Sequence, residues 1–192
     1  ELLARRAEFV PGSAVPLFEL RAPVFDGADY ALKRVFDLGG AALSLVILSP
    51  LLLVIAAAVA LTSRGPVLFR SRRPGIAGVP FACLKFRTMY EGAELRQHEL
   101  EAENEADGPL FKIRRDPRIT PVGSVLRRFS LDELPQLWNV LRGEMSIVGP
   151  RPLPQRDYAR LEEWHRRRYL VLPGMTGLWQ VSGRSELDFD DL

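Results

Sequence analysis

Asp132 and Glu133 are neighbours in Ser130-Leu131-Asp132-Glu133-Leu134-Pro135, and two adjacent carboxylates at a helix entrance can serve either structure or chemistry. The structural reading is a capping box: Ser130 is the N-cap, Glu133 lies three residues on, and the acids complement the helix dipole. Pro135 favours the chemical reading. Proline fits best at the first helical position, which leaves the acidic pair in the turn ahead of the helix. There the positive helix end would bind a phosphate, with one carboxylate attacking phosphorus and the other serving a divalent cation or accepting a proton. Arg127 and Arg128 before the pair and Arg151 after it supply counter-charge for phosphoryl oxygens.

The composition agrees with an anionic substrate rather than an anionic polymer. The 192 residues carry 26 Lys+Arg against 24 Asp+Glu, a net charge of +2, so no nucleic-acid partner is expected. Twenty-three of the bases are Arg and only Lys33, Lys85 and Lys112 are lysine, a bias that suits bidentate phosphate contacts. A single cysteine, Cys83, excludes a disulfide framework, and with His98 and His165 it leaves no ligand set for a Cys- or His-built metal site. A hydrophobic fraction of 47% excludes intrinsic disorder.

The elements that must position these groups begin with an arm. Residues 1–29 hold Pro11, Gly12, Pro16, Pro23 and Gly27 and read as a linker from a missing N-terminal region, the chain starting on Glu1 as a piece of a longer protein. A helix is predicted from just after Asp29, and Leu38 to Leu61 then runs 24 residues without a charge, ~36 Å of helix against a hydrocarbon core of ~30 Å. Two details oppose a simple span. Ser49-Pro50 at its middle predicts a break, with the freed carbonyl covered by the Ser49 or Ser44 hydroxyl, and basic residues flank both ends. A helix over 30–63 that enters one leaflet and returns satisfies both; a kinked full span and a buried helix of a soluble domain are the competing placements.

Residues 64–89 predict loops and one or two short strands around 67–69 and 79–81. Glu91 to Asp107 carries seven acids against Arg96 and predicts a solvated helix, after which Lys112, Arg114, Arg115 and Arg118 reverse the sign. Leu134, Leu137, Val140 and Leu141 lie at helical spacing, so Ser130 to Leu141 predicts an amphipathic helix. Between 153 and 170 a stripe of Tyr158, Leu161, Trp164, His165 and Tyr169 among arginines fits a membrane-interfacial helix and a core-packed surface helix equally. The Gly-rich tail around Trp179 and Arg184 reads as loops near a site.

The stretch from Ser130 to Pro152, with Asp132-Glu133-Leu134-Pro135-Gln136-Leu137-Trp138-Asn139 and Gly149-Pro150-Arg151-Pro152, closely resembles the signature of the bacterial sugar transferases, the monotopic phosphoglycosyl transferases. Lys33-Arg34 with Asp37, Lys85-Phe86-Arg87-Thr88-Met89, and Pro173-Gly174-Met175-Thr176-Gly177 through Arg184 are similar to further blocks of that family, in its order, over about residues 30 to 190. Ser71 and Pro74 depart from its usual pattern.

The resemblance implies an α+β, mostly helical, monotopic membrane enzyme with a re-entrant helix broken at Ser49-Pro50, amphipathic interfacial helices, a small irregular strand region, and a catalytic domain over 30–192. It implies transfer of a hexose-1-phosphate, glucose or galactose, from a UDP-sugar to polyprenyl (undecaprenyl) phosphate, starting exopolysaccharide, O-antigen or capsule synthesis. Asp132 would attack the sugar-linked phosphorus and expel UMP, with Glu133 and Asp132 holding Mg²⁺. Lys85, Arg87, Arg127, Arg151 and Arg184 would contact phosphate and nucleotide. The expected place is the cytoplasmic face of the bacterial inner membrane, with lipid as a partner and a homodimer left open. The rival function is a non-catalytic membrane anchor or anionic-lipid-binding module in which Asp132-Glu133 only caps a helix.

Overall fold

Leu and Ala dominate the uncharged run, and both are among the strongest helix formers. They produce one 35-residue helix, α1 (Ala28–Thr62), in a computed structural model that describes residues 7–9, 18–20, 27–93, 95, 113, 116–158, 161 and 166–177. The break predicted at Ser49-Pro50 is not there: the helix runs through Pro50. Proline removes the donor that Val46 C=O would otherwise meet, and Ser49 Oγ donates to that same oxygen at 2.8 Å, so the gap in the ladder is filled locally.

Residues 34–192 form one compact unit and residues 1–33 another. The latter holds a short antiparallel pair, β1 (Ala7–Phe9) and β2 (Phe18–Leu20), with Ala7 opposite Leu20. In the larger unit α1 lays a stripe at helical spacing onto two apolar clusters. Ala41, Leu45 and Leu48 pack on Cys83, Leu137, Val140 and Met145. Leu52, Ile55 and Val59, past Pro50, pack on Phe86, Leu126, Leu131 and Leu134. The opposite face, with Leu43, Val46, Ile47, Leu53, Val54 and Leu61, is exposed, so α1 is not the buried helix of a soluble core.

Each end of this stretch is tied to the same body by a polar group. Near its start Asp37, 2% exposed, accepts from Ser146 Oγ at 2.8 Å and the Ile147 N–H at 3.0 Å, and Arg34 donates to Val140 C=O at 3.2 Å. At its end the Arg87 guanidinium donates to Ser63 C=O at 2.7 Å, Ser63 Oγ at 2.9 Å, Val59 C=O at 3.3 Å, and Pro66 C=O. Carbonyls of a last helical turn have no partner within the helix, and Arg87 supplies it.

An antiparallel hairpin follows, β3 (Leu68–Pro74) and β4 (Pro80–Phe86), paired from Leu68 opposite Phe86 to Pro74 opposite Pro80. It is longer than the sequence predicts, because the charged Arg70-Ser71-Arg72-Arg73 run conceals a strand. Helix α2 (Pro121–Arg128) is capped by Thr120, whose hydroxyl accepts from the Gly123 N–H at 2.9 Å. Gly123 lies so close to the Thr88 backbone that no Cβ fits there. Helix α3 (Gln136–Leu141) leads to β5 (Ser146–Val148), which pairs in parallel with β6 (Gly174–Thr176) where Gly149 and Gly174 let two backbones touch.

The interfacial helix expected over 153–170 is a correction. Among the described residues α4 (Gln155–Tyr158), Arg166 and a 3₁₀ turn at Arg167–Leu170 are helical, while Leu161 between them is not, so one continuous helix over 153–170 does not form. Tyr158, Leu161 and Tyr169 pack with Leu153, and the two tyrosine rings meet edge to face at 4.9 Å. The described part of the apolar stripe, Tyr158, Leu161 and Tyr169, is therefore satisfied inside the protein, as the core-packed alternative has it. Trp164 and His165 lie outside the described residues, as do most of the acidic stretch after Glu91 and the tail beyond Gly177.

Candidate active site

The acidic pair sits in a 3₁₀ turn, Leu131–Glu133, ahead of α3, so the capping box does not form. Ser130 adopts a left-handed φ of 57° and makes no capping hydrogen bond. Pro135 takes the N-cap position of α3. Leu131 and Leu134 anchor the turn from either side in the apolar cluster beneath α1. Proline placement was the signal that separated the two readings, and the turn it implies is the one observed.

Lys85, Arg127, Asp132, Glu133 and Arg151 line one cleft of about 1180 Å³. Glu133 is held from two sides. Lys85 Nζ lies 2.7 Å from its Oε1, while Arg151 grips both oxygens, at 2.6 Å to Oε1 and 3.1 Å to Oε2. Burial alone would raise the Glu133 carboxyl, yet the Arg151 hydrogen bonds and the Lys85 charge outweigh it and bring its pKa down to about 2. Asp132, the adjacent residue, forms no salt bridge with any of the described residues. Burial pushes its carboxyl above the ordinary aspartate range, the Glu133 charge adds to the rise, and Lys85 and Arg127 pull the other way.

Arg127 completes the cleft. Its Nε donates to Thr88 Oγ1 at 2.9 Å, and its terminal nitrogens hydrogen-bond to none of the described residues, leaving a positioned, open guanidinium facing a carboxylate. Arg87 behaves differently from the phosphate contact expected of it. It borders the cleft, but both its terminal nitrogens are engaged at the end of α1, so it fastens that helix instead. Arg184 lies outside the described residues.

Three residues that the sequence reading quoted without a role hold the fold together. Asp37 and Arg118 are buried polar anchors, Arg118 gripping Asp116 through Nε and Nη2, with 2.6 Å for the latter, and the Ala93 carbonyl. Asn139 is wholly buried on α3. Its signal was available: it falls on the same helical face as Gln136, Leu137 and Val140, where an amide is expected only if it has partners.

The dyad suits a cation that keeps its own water. Among the described residues no third His, Cys, Asp or Glu joins it. Asp132 and the remaining lone pair of Glu133 Oε2 are the oxygen donors that would hold a Mg²⁺ ion, which would supply charge neutralisation there.

A family model for the bacterial sugar transferases matches residues 28–192, spanning every element from α1 onward. The chain belongs to the bacterial sugar transferase family. As a sugar transferase it is an enzyme, which sets aside the non-catalytic membrane anchor as its function. It is 45% identical to the exopolysaccharide production protein ExoY of Sinorhizobium fredii, over 82% of this chain and 71% of that protein. It is 47% identical to a UDP-glucose:undecaprenyl-phosphate glucose-1-phosphate transferase of Caulobacter vibrioides, over 79% of this chain and 54% of that one. With an undecaprenyl-phosphate galactose phosphotransferase of Salmonella typhimurium the identity is 40%, over 95% of this chain and 39% of the relative. This sugar transferase therefore spans most of the ExoY protein and a third to a half of the longer relatives.

Proposed function

We propose that this sugar transferase moves a hexose-1-phosphate from a UDP-sugar to undecaprenyl phosphate, with Asp132 as the nucleophile, as the first membrane step of exopolysaccharide, O-antigen or capsule synthesis. The observation that carries the proposal is the division of labour within the dyad. Glu133 is neutralised by Lys85 and Arg151, whereas among the described residues no cation pairs with Asp132, which lies beside an Arg127 held at Nε by Thr88. An Asp132 oxygen attacks the sugar-bearing phosphorus, the bond from that phosphorus to the bridging oxygen breaks, and UMP leaves with the electron pair. A phosphate oxygen of undecaprenyl phosphate then attacks the sugar-phosphoryl aspartate and returns Asp132 as a carboxylate. Arg127 and Arg151 offset charge on the phosphoryl oxygens through both steps. Bound Mg²⁺ would supply further neutralisation of the diphosphate.

The acceptor's lipid character fits the apolar part of the cleft lining, which includes Phe69, Leu134, Leu137 and Met175. We place the exposed face of α1 in the inner leaflet of the bacterial inner membrane, with both ends on the cytoplasmic side. What supports this is the tie at each end, Asp37 and Arg87, to one and the same body; a helix crossing ~30 Å of hydrocarbon would carry one end away from it. Membrane-reconstituted protein given Mg²⁺, undecaprenyl phosphate and a panel of UDP-sugars tests the proposal. UMP release and a diphosphate-linked lipid are expected with UDP-glucose or UDP-galactose; no turnover with any UDP-sugar would refute it.

A further inference from the structure

Among the described residues strand β4 pairs with β3 on one side only, so the other edge presents peptide groups that need partners. Asn139 meets them. Its Oδ1 accepts from the Leu84 N–H at 3.0 Å and its Nδ2 donates to Ala82 C=O at 2.8 Å. One planar amide thus bonds the strand as a neighbouring strand's peptide would. The Nδ2 also donates to Glu144 at 2.6 Å, while the Asn139 carbonyl accepts from the Glu144 and Met145 N–H groups, so the amide's orientation is fixed by the turn after α3.

We propose that Asn139 is a positioning residue for the transfer reaction: by docking its amide on the open edge of β4 it fixes the register between α3 and that strand, and so sets Lys85 against Glu133. The inference rests on the catalytic reading of the dyad given above. A closed circuit carries it. Lys85 follows Leu84 directly, Glu133 precedes Asn139 by six residues, and the ion pair at one end is spanned by the amide bonds at the other. Of Asn139's surface none is exposed, so it touches no substrate. Small displacements at such a site are costly, since a shift of about 1 Å in a charged partner can reduce turnover by about 100-fold.

The test reads Lys85 directly. The chain has only three lysines, so limited acetylation followed by peptide mass mapping resolves each one. In membrane-reconstituted wild type Lys85 is expected to be slow to react. In Asn139→Ala it should acetylate about tenfold faster, the equivalent of one lost buried hydrogen bond, with Lys33 unchanged. The turnover number should fall by about 100-fold with a smaller change in KM for the UDP-sugar. If that variant does not fold, Glu144→Ala, which frees the Nδ2 group on one side, should raise Lys85 acetylation in the same direction by a smaller factor. Unchanged Lys85 reactivity in a folded variant overturns the proposal. Because acetylation needs no turnover, a wild type that releases no UMP but shows the labelling shift would sink the functional reading and leave the positioning role intact.

Discussion

The cleft and the seam under the C-terminal end of α1 are both built around arginine, with opposite results. In the seam the terminal nitrogens of the buried Arg87 guanidinium meet the carbonyls of Val59, Ser63 and Pro66 and so hold the chain; Arg118, at the edge of the cleft, is likewise buried and spent on Asp116 and the Ala93 carbonyl. In the cleft Arg151 is shared with a carboxylate at the open side, and Arg127 keeps its terminal nitrogens open. An arginine becomes available for substrate where the fold fixes its stem and leaves its tip without acceptors. The Lys85 to Thr88 stretch shows this in four residues: Lys85 reaches the dyad, Phe86 enters the core, Arg87 turns to α1, and Thr88 supports Arg127.

The comparison breaks most readily at the acids. Asp132→Asn keeps the size of the side chain and removes the nucleophile, so UMP release should fall by about 10⁴-fold or more while the melting temperature stays near that of the wild type. Retained turnover would put the reaction elsewhere. Next comes Arg127→Met, which should lower kcat/KM for the UDP-sugar by about 100-fold, as expected for one lost charge-stabilising donor group. Arg87→Lys tests the other region. It keeps a positive charge but not the fork, leaving buried carbonyls unmet, so stability should drop by about 2 kcal/mol while KM for the UDP-sugar holds. A rise in KM with undiminished stability would return Arg87 to the substrate.

The pH dependence sharpens the contrast between the two carboxyls. Glu133, held at about 2, stays ionised through the working range, whereas Asp132 titrates above the usual aspartate value. The rate should therefore fall as pH drops through the Asp132 pKa. Removing the Lys85 charge, which lowers Asp132, should move that acid limb to higher pH. A kcat/KM profile of wild type against Lys85→Met checks it; an unmoved limb would assign the titration to another group.

The smallest effect concerns the membrane. Cysteines placed at Val35 and Arg64 should react with an impermeant reagent from the same, cytoplasmic side, Cys83 being buried and silent. Labelling from opposite sides would make α1 a span.

What the sequence made legible was local. The turn at Asp132-Glu133 could be read because Pro135 constrains its own neighbours, and the Ser49 hydroxyl on the freed carbonyl because both lie within one turn. What it concealed depends on distance along the chain. Asn139 meets β4 across 55 and 57 residues, and Asp37 meets Ser146 across 109, pairings that no periodicity encodes. The β5 and β6 strands are three residues each and exist because Gly149 and Gly174 permit contact, which leaves no alternating pattern to find. The stripe at 153–170 was ambiguous for the converse reason: aromatic residues that would suit a lipid boundary also suit a small internal cluster, and the tertiary partner Leu153 decided it.

The central claim is that Asp132, the carboxylate left without a cation, takes the sugar phosphate onto itself. Enzyme in membranes with Mg²⁺ and UDP-sugar but no polyprenyl phosphate should release UMP in a rapid burst of about one equivalent per chain, and its intact mass should rise by one hexose phosphate. A folded enzyme that turns over when acceptor is added, yet shows neither burst nor adduct without it, would contradict the account and leave direct attack by the lipid phosphate in its place.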